Sequence, residues 1–389
     1  MMNIIWSAGQ KIELNDIIKA EGCYIYDSKG NKYLDFESGI WCTSLGHSHL
    51  KVVNVIKKQV ENIIHTGFCY SNDIIEKAAE NFLNAANFHN GSCAFLCSGS
   101  EAVEFSIRIF KNITNKQYIM SMSDSYSGAY GAVAEKRSDQ WIFFDWLECE
   151  LEKCNFECNK CKKFNNIPFE KIGAFLFEPG SSSGLVRFPP KMLIEKIYKK
   201  VKENQGYILI NEVTTGIGRT GKWFGFKHYN IKPDIISVGK GIGSGYPVSI
   251  CAVNEEISKM IQKNEIRYSQ SHQNDPLGAA VVNEVINIIN EENLIKNSEK
   301  MGNYFIEKLI EIEKKFDVIK EIRGRGLMIV VEFKDDCVST VYKKLLENYI
   351  IISRRANTNC LRIDPPLIVS KNEIDYFLNK LTEIIIELR

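Results

Sequence analysis

Lys240 stands between two glycines in Pro233-Asp-Ile-Ile-Ser-Val-Gly-Lys-Gly-Ile-Gly-Ser-Gly-Tyr-Pro247. The apolar run Ile235 to Val238 delivers that one lysine to the start of a glycine-punctuated loop. An amine at the mouth of a buried strand loses its proton by desolvation and can then condense with an aldehyde to a Schiff base. A single lysine in a loop is more often merely solvated, so its company decides. One strand earlier comes the pair Asn211-Glu212; further back lie the loop Ser98-Gly-Ser-Glu101 and the aromatic turn Ser125-Tyr-Ser-Gly128.

These pieces together read as a pyridoxal phosphate site. Ser98 to Glu101 ends an apolar run and opens a helical pattern, Ala102 to Ile113. A helix N-terminus favours a phosphate through its free N–H groups and its dipole. The same four residues also spell a capping box, which serves the helix alone, and the two roles are compatible. Gly216-Ile-Gly-Arg-Thr-Gly221 matches a dinucleotide fingerprint, but aromatic and glycine-broken residues follow it instead of a helix, so that reading is rejected. Cys149, Cys154, Cys158 and Cys161 are close enough for a structural zinc held by four thiolates, with a surface insertion carrying free thiols as the alternative. An iron–sulfur cluster fits less well, because no barrel pattern accompanies it. The histidines show no metal spacing; His47 and His49 read as turn and packing residues.

The elements that must position Lys240 are legible as texture. From about residue 50 to 285, short apolar runs alternate with helical patterns: Ala94 to Cys97, Tyr118 to Ser121, Ile172 to Phe177, Tyr207 to Ile210, Ile235 to Val238 and Ser249 to Val253. Continuous apolar strands separated by helices predict an α/β fold with a mostly parallel sheet covered on both faces. Ligands of such sheets bind outside the carboxyl ends of the strands. Cys97, Glu178, Asn211 and Lys240 all fall there. Beyond 286, amphipathic helices (Val282 to Asn290, Glu292 to Lys315, Lys371 to Leu388) flank the strand Gly326 to Phe333 and predict a smaller α+β domain at 286–389. The N-terminal segment 1–49, with strands Gly22 to Asp27 and Lys32 to Phe36, is expected to join it.

Composition narrows the partners. With 49 basic and 48 acidic residues the net charge is +1, which leaves no basic footprint for nucleic acid. No apolar run approaches membrane-spanning length, and the first residues lack the pattern of a signal peptide. Twelve cysteines without an export signal point to reduced thiols in a cytoplasm.

Over nearly its whole length the chain resembles the class III (ornithine and omega-amino-acid) aminotransferases. The matching stretches are Gly30 to Gly39, Leu45-Gly-His47, Ser98 to Glu101, Glu178-Pro179, Asn211 to Gly221, Pro233 to Lys240, Asn274 to Leu277, Arg323 to Leu327 and Leu361-Arg-Ile-Asp-Pro-Pro-Leu367. The resemblance implies the fold-type-I pyridoxal phosphate architecture and a homodimer with sites at the subunit interface. It makes Lys240 the Schiff-base lysine and proton shuttle. Ser98, Gly99 and Ser100 would hold the phosphate, Tyr126 would stack on the ring, and Glu178, Val213 and Thr214 would stand around it. Ser271 would reach the cofactor phosphate of the neighbouring subunit. Arg362 would bind a substrate carboxylate beside Trp41, a wall of the substrate pocket.

Departures from the family pattern qualify that reading. Asn211 replaces the aspartate that keeps the pyridine nitrogen protonated, so the electron sink is expected to be weaker. Ser127 replaces a histidine or tryptophan, and Thr214 a common glutamine. Ala129 replaces the arginine of ornithine-type and acetylornithine-type members, and Ser183 the arginine-masking glutamate of ornithine-type ones. The expected activity is therefore transfer of an amino group between an amino donor and a 2-oxo acid, with neither ornithine nor acetylornithine as donor. The alternatives are an amino-acid racemase or epimerase on the same fold, or a pyridoxal phosphate-binding protein with weakened turnover.

Overall fold

A computed structural model describes residues 12–388 except 68, 138, 148, 150–159, 183–184, 265, 335 and 356–357. Its centre is a seven-stranded sheet built from the apolar runs of the middle of the chain: β4 (Ser92–Leu96), β5 (Tyr118–Met122), β6 (Trp141–Phe144), β7 (Ile172–Phe177), β8 (Tyr207–Asn211), β9 (Ile235–Val238) and β10 (Ser249–Val253). The strand order is β4-β10-β9-β8-β7-β5-β6. Only β10 runs against its neighbours, so β4 points the same way as β9, β8, β7 and β5. Every residue of β7, β9 and β10 is buried, as a sheet covered on both faces requires. The edge strand β6 has no counterpart among the runs read from the sequence. It is short and half-exposed, with Trp141 stacked on Phe143, so it lacks the continuous apolar signal of the inner strands.

Two hydrophobic clusters cover the sheet. One, on the side of helix Gly99–Ile113, gathers Val103, Ile107 and Phe110 against Leu176, Leu209 and Cys251. The other runs from Phe175, Ile208 and Ile236 out to Phe36, Phe305 and Phe377 at the two ends of the chain. Helix Pro276–Glu291 begins six residues before the expected Val282, with proline in its first turn. Its residues are buried on almost every side, so no single apolar stripe announced it. It packs against helices Leu50–Asn62 and Asp73–Ala86 and against the turn at Lys240–Gly243, which it supports from behind.

The N-terminal strands β1 (Ile17–Glu21), β2 (Tyr24–Asp27) and β3 (Lys32–Asp35) form a second sheet closed by β13 (Ile350–Ile351), which runs parallel to β3. A third sheet holds β11 (Ile319–Arg325), β12 (Met328–Phe333), β15 (Cys360–Ile363) and β14 (Ser353–Arg354), in that order. The pairing of β3 with β13 brings the start of the chain beside its last third. After β8 the residues 213–220 form turns instead of a helix, in line with the rejected dinucleotide fingerprint. Among the described residues no helix is long and apolar enough to cross a membrane.

Candidate active site

Because β4, β7, β8 and β9 are parallel, their carboxyl ends share one edge of the sheet and bring Ser98, Glu178, Asn211 and Lys240 together. A cavity of about 450 Å³ opens there, lined by Trp41, Ser98, Gly99, Ser100, Tyr126, Asn211, Val213, Thr214 and Lys240 among others.

Lys240 has φ +49, a left-handed backbone that costs a non-glycine residue about 1–3 kcal/mol and is found mostly where function holds it. The neighbouring carbonyl of Gly241 accepts a hydrogen bond from Ser44 Oγ at 2.7 Å, which fixes the turn. Among the described residues Lys240 Nζ makes no hydrogen bond or ion pair; it lies 4.3 Å from the centre of the Trp41 ring. Burial, followed by the charge of Arg362, pushes its pKa down to about 8. A largely desolvated, unpaired amine of this kind is suited to an aldehyde.

Opposite stands the N-terminus of helix Gly99–Ile113. Ser98 Oγ caps it by accepting from Glu101 N at 3.2 Å. The capping box is not reciprocal, since Glu101 Oε2 accepts from Cys97 N at 2.9 Å and not from Ser98. Gly99 is required by packing: a Cβ there would sit 2.6 Å from Val213 Cγ1, and one on Gly239 would sit 2.9 Å from Gly99 Cα. Close approach of Val213 and Gly239 therefore enforces this glycine whether or not an anion is bound.

Glu178 does not line the cavity. It lies beneath it, fully buried, and accepts from Ser127 N at 2.9 Å, Tyr126 N at 3.2 Å and Ser182 N at 3.3 Å. Asn211 Nδ2 also donates to Glu178 Oε1 at 2.9 Å, while Asn211 Oδ1 accepts from Val213 N at 3.1 Å. Those two bonds fix which way the Asn211 amide points. Burial pushes the Glu178 carboxyl up, against the lowering effect of its donors.

The other wall is unlike the first. Ser38, Gly39, Ile40 and Trp41 all have φ between 53 and 65, one turn of left-handed helix. Three of them are not glycine, at about 1–2 kcal/mol each. The Asp35 carboxylate offsets this by accepting from Glu37 N and Ser38 N at 2.9 Å and Gly39 N at 3.2 Å, and it contacts His47 Nε2 at 2.8 Å. His47 is thus a packing residue of this turn.

Arg362, expected at the substrate carboxylate, does not line this cavity. Its guanidinium is buried with Cζ 3.6 Å from the Trp41 ring centre. Nε and Nη2 bind Asp364 at 2.6 and 3.2 Å, and Nη1 is buried without a partner among the described residues. Alternation along the strand puts residues 362 and 364 on one side, so the fork meant for a substrate is filled from two residues away. Two arginines do line the cavity, Arg354 and Arg355, and neither was legible in the sequence, nor were Glu37, Ser182 and Ser353. Arg355 has one long hydrogen bond, to Ser182 O at 3.4 Å, and no carboxylate partner among the described residues. No motif marks it; only the fold carries it to Trp41, 5.7 Å from its ring centre.

The remaining expected residues lie elsewhere. Ser271 is exposed and outside the cavity. Ala129 is exposed at the rim, its N–H donating to Ser100 Oγ at 3.0 Å. Ser183, Cys154 and Cys158 lie outside the described residues. Cys149 is buried and Cys161 half-buried, and no group of three metal-ligating side chains among the described residues includes either.

A mostly parallel sheet with a half-buried lysine, unpaired among the described residues and facing a helix N-terminus across one cavity, defines a fold-type-I pyridoxal phosphate enzyme, and the donor set fits that cofactor. The chain belongs to the class III aminotransferase family, whose model matches residues 6–385. It is 32% identical over 381 residues to an acetylornithine aminotransferase of Caldanaerobacter subterraneus subsp. tengcongensis, covering 96% of this chain and 95% of the relative. It is 29% identical over 405 residues to a leucine/methionine racemase of Thermococcus litoralis, covering 95% and 90%. Among solved structures, a Bacillus anthracis aminotransferase superposes with a TM-score of 0.88 at 26% identity, covering 98% of this chain and 96% of that one. The protein is a pyridoxal phosphate-dependent transaminase of class III.

Proposed function

We propose that this transaminase moves an amino group between an amino acid or amine and a 2-oxo acid, with Lys240 holding the cofactor and moving the proton. The observation that carries the reading is Lys240 itself: half-buried, unpaired among the described residues, with a pKa of about 8, and facing a helix N-terminus. When bound, pyridoxal phosphate supplies an aldehyde and a ring that draws electrons from the donor's Cα. Ser98, Gly99 and Ser100 would hold its phosphate, Tyr126 and Val213 would flank its ring, and Thr214 would meet its phenolic oxygen. Lys240 Nζ takes the proton from the donor's Cα and returns it. Arg355, half-buried and without a carboxylate partner, binds the substrate carboxylate; Arg362, locked to Asp364, acts through its charge on Lys240. Residues 50–285 are read as the cofactor domain, with 1–49 and 286–389 closing over it. A homodimer in which Ser271 reaches the neighbouring cofactor accounts for the exposure of Ser271.

The donor is read as neither ornithine nor acetylornithine, because Ala129 stands where those enzymes carry an arginine. The relatives named acetylornithine aminotransferase make that donor the first to try. A racemase is the second reading, and Asn211 favours it. With Oδ1 given to Val213 N–H and one Nδ2 hydrogen to Glu178, Asn211 can offer a ring nitrogen only a neutral donor. An unprotonated ring suits a short-lived carbanion.

The test is visible absorption of the bound cofactor during titration with amines, amino acids and N-acetylornithine. Conversion to the pyridoxamine form, reversed by a 2-oxo acid, supports amino transfer and names the donor. Loss of optical rotation with no oxo acid formed moves the assignment to racemisation. No response to any donor sinks both.

A further inference from the structure

Away from the Lys240 cavity, His65 meets two side chains from a distant part of the chain, His272 and Asp275, on the surface. His65 follows helix Leu50–Asn62, His272 follows Ser271, and Asp275 stands at the entry of helix Pro276–Glu291. One ligand atom from each lies within 4.8 Å of the other two. His65 Nδ1 is 3.1 Å from Asp275 Oδ1, and His272 Nδ1 is 3.9 Å from Asp275 Oδ2. The imidazole rings are 4.5 Å apart and tilted by 41°.

Asp275 gives the arrangement its meaning. An aspartate at this position ordinarily caps its helix by accepting from backbone N–H groups. Here its side chain makes no capping bond, although it occupies the cap position. Its two oxygens face two imidazoles instead. Beside them a cavity of about 210 Å³ is lined by Cys97, Tyr246, His272 and Asp275. The Cys97 sulfur is engaged by Gln270 Nε2 at 3.1 Å, so this cavity offers room for water more readily than a thiolate.

We propose that His65, His272 and Asp275 bind one divalent transition-metal ion, Zn²⁺ by the character of the donors, with water completing a tetrahedron. Two imidazoles and a carboxylate are a frequent donor set for such ions, which need ligands at about 2.0–2.2 Å. Small rotations of two partly exposed histidines bring three atoms already 3.1 to 4.8 Å apart onto one centre. The ion ties the loop after helix Leu50–Asn62 to the segment carrying Ser271. If the dimer reading of Ser271 holds, that clamp orders a residue serving the neighbouring site, but metal binding itself does not depend on that reading.

The experiment is a Co²⁺ titration of the holoenzyme, without a polyhistidine tag, in a Cys154→Ser/Cys158→Ser background that disables the cysteine cluster. The expected result is one Co²⁺ per chain, with visible ligand-field bands and no sulfur-to-cobalt charge transfer. Binding weakens roughly 100-fold or more in His272→Ala and in His65→Gln. Absence of binding, binding indifferent to both histidine variants, or bands showing thiolate ligation would each overturn the site. The readout is spectroscopic, so it stands whether or not amino transfer is found.

Discussion

The two walls of the Lys240 cavity are built by different means. The cofactor wall is regular: four parallel strands end on one edge, a helix begins there, and Gly99 is enforced by Val213 and Gly239. The substrate wall is a left-handed turn, Ser38 to Trp41, held by one carboxylate, and a loop that carries Arg355 past Trp41. Regular elements place side chains through hydrogen bonds that any sequence of the right pattern makes. The irregular wall depends on particular side chains, Asp35 and Asp364, that hold it in place. The first wall is therefore suited to a group common to the whole family, and the second to whatever distinguishes this chain.

The sharpest way to break the contrast is at Lys240. Lys240→Ala should lower single-turnover amino transfer by about 10⁴-fold, the scale of a lost proton-transferring group, while the absorption of added cofactor shows it bound without covalent attachment. A variant that kept full turnover would remove the cofactor wall from the chemistry. On the other wall, Asp364→Asn leaves Arg362 buried and unpaired, at about 3–5 kcal/mol. Denaturant unfolding should register that loss. If stability is unchanged, Asp364 does not hold the Trp41 side together.

Smaller effects separate the two arginines. Arg355→Gln should raise KM for a 2-oxo acid by roughly 10- to 100-fold with little change in kcat, the signature of a lost uniform binding contact. Equal loss in both parameters would place Arg355 in the reacting constellation instead. Asn211→Asp should raise the rate of the first half-reaction by about tenfold, equivalent to ~1.4 kcal/mol. The same change puts two carboxylates in hydrogen-bonding contact at Glu178, so the cofactor-free variant should unfold more easily than the wild type. A slower half-reaction with cofactor bound would sink this account of Asn211.

The mildest test is pH. With the Lys240 pKa lowered to about 8, the free-amine fraction climbs about tenfold between pH 7 and pH 9, and the rate at which cofactor-free protein takes up pyridoxal phosphate should follow. The sign for stability is also fixed. A lysine whose folded pKa lies below its unfolded value binds fewer protons when folded, so its contribution rises as pH climbs from about 8 towards about 10.4. A profile flat across that range would show that Lys240 is not desolvated.

Much of the cofactor wall was legible in the chain because its signals are local. An apolar run buried on both faces reads as a strand, and the end of a parallel strand is where a ligand group belongs. Lys240, Asn211 and Ser98 follow from those two statements. Even here packing added what spacing could not. Glu178 proved to lie under the cavity, gathering the Tyr126, Ser127 and Ser182 backbones. Asp364 was within reach, since Arg362 and Asp364 alternate onto one side of a strand, but only the structure showed the pair closed.

By itself the sequence determined the sheet, the lysine at its edge, the helix N-terminus opposite and the unusual amide at position 211, because each is set by neighbours within a few residues. Only the tertiary structure decided which guanidinium groups line the cavity, which is locked behind Trp41, and that His65 meets Asp275 across 210 residues of chain. Those are contacts between elements far apart in sequence, and their geometry is set by how sheets and helices pack, for which no local pattern of residue types carries a code.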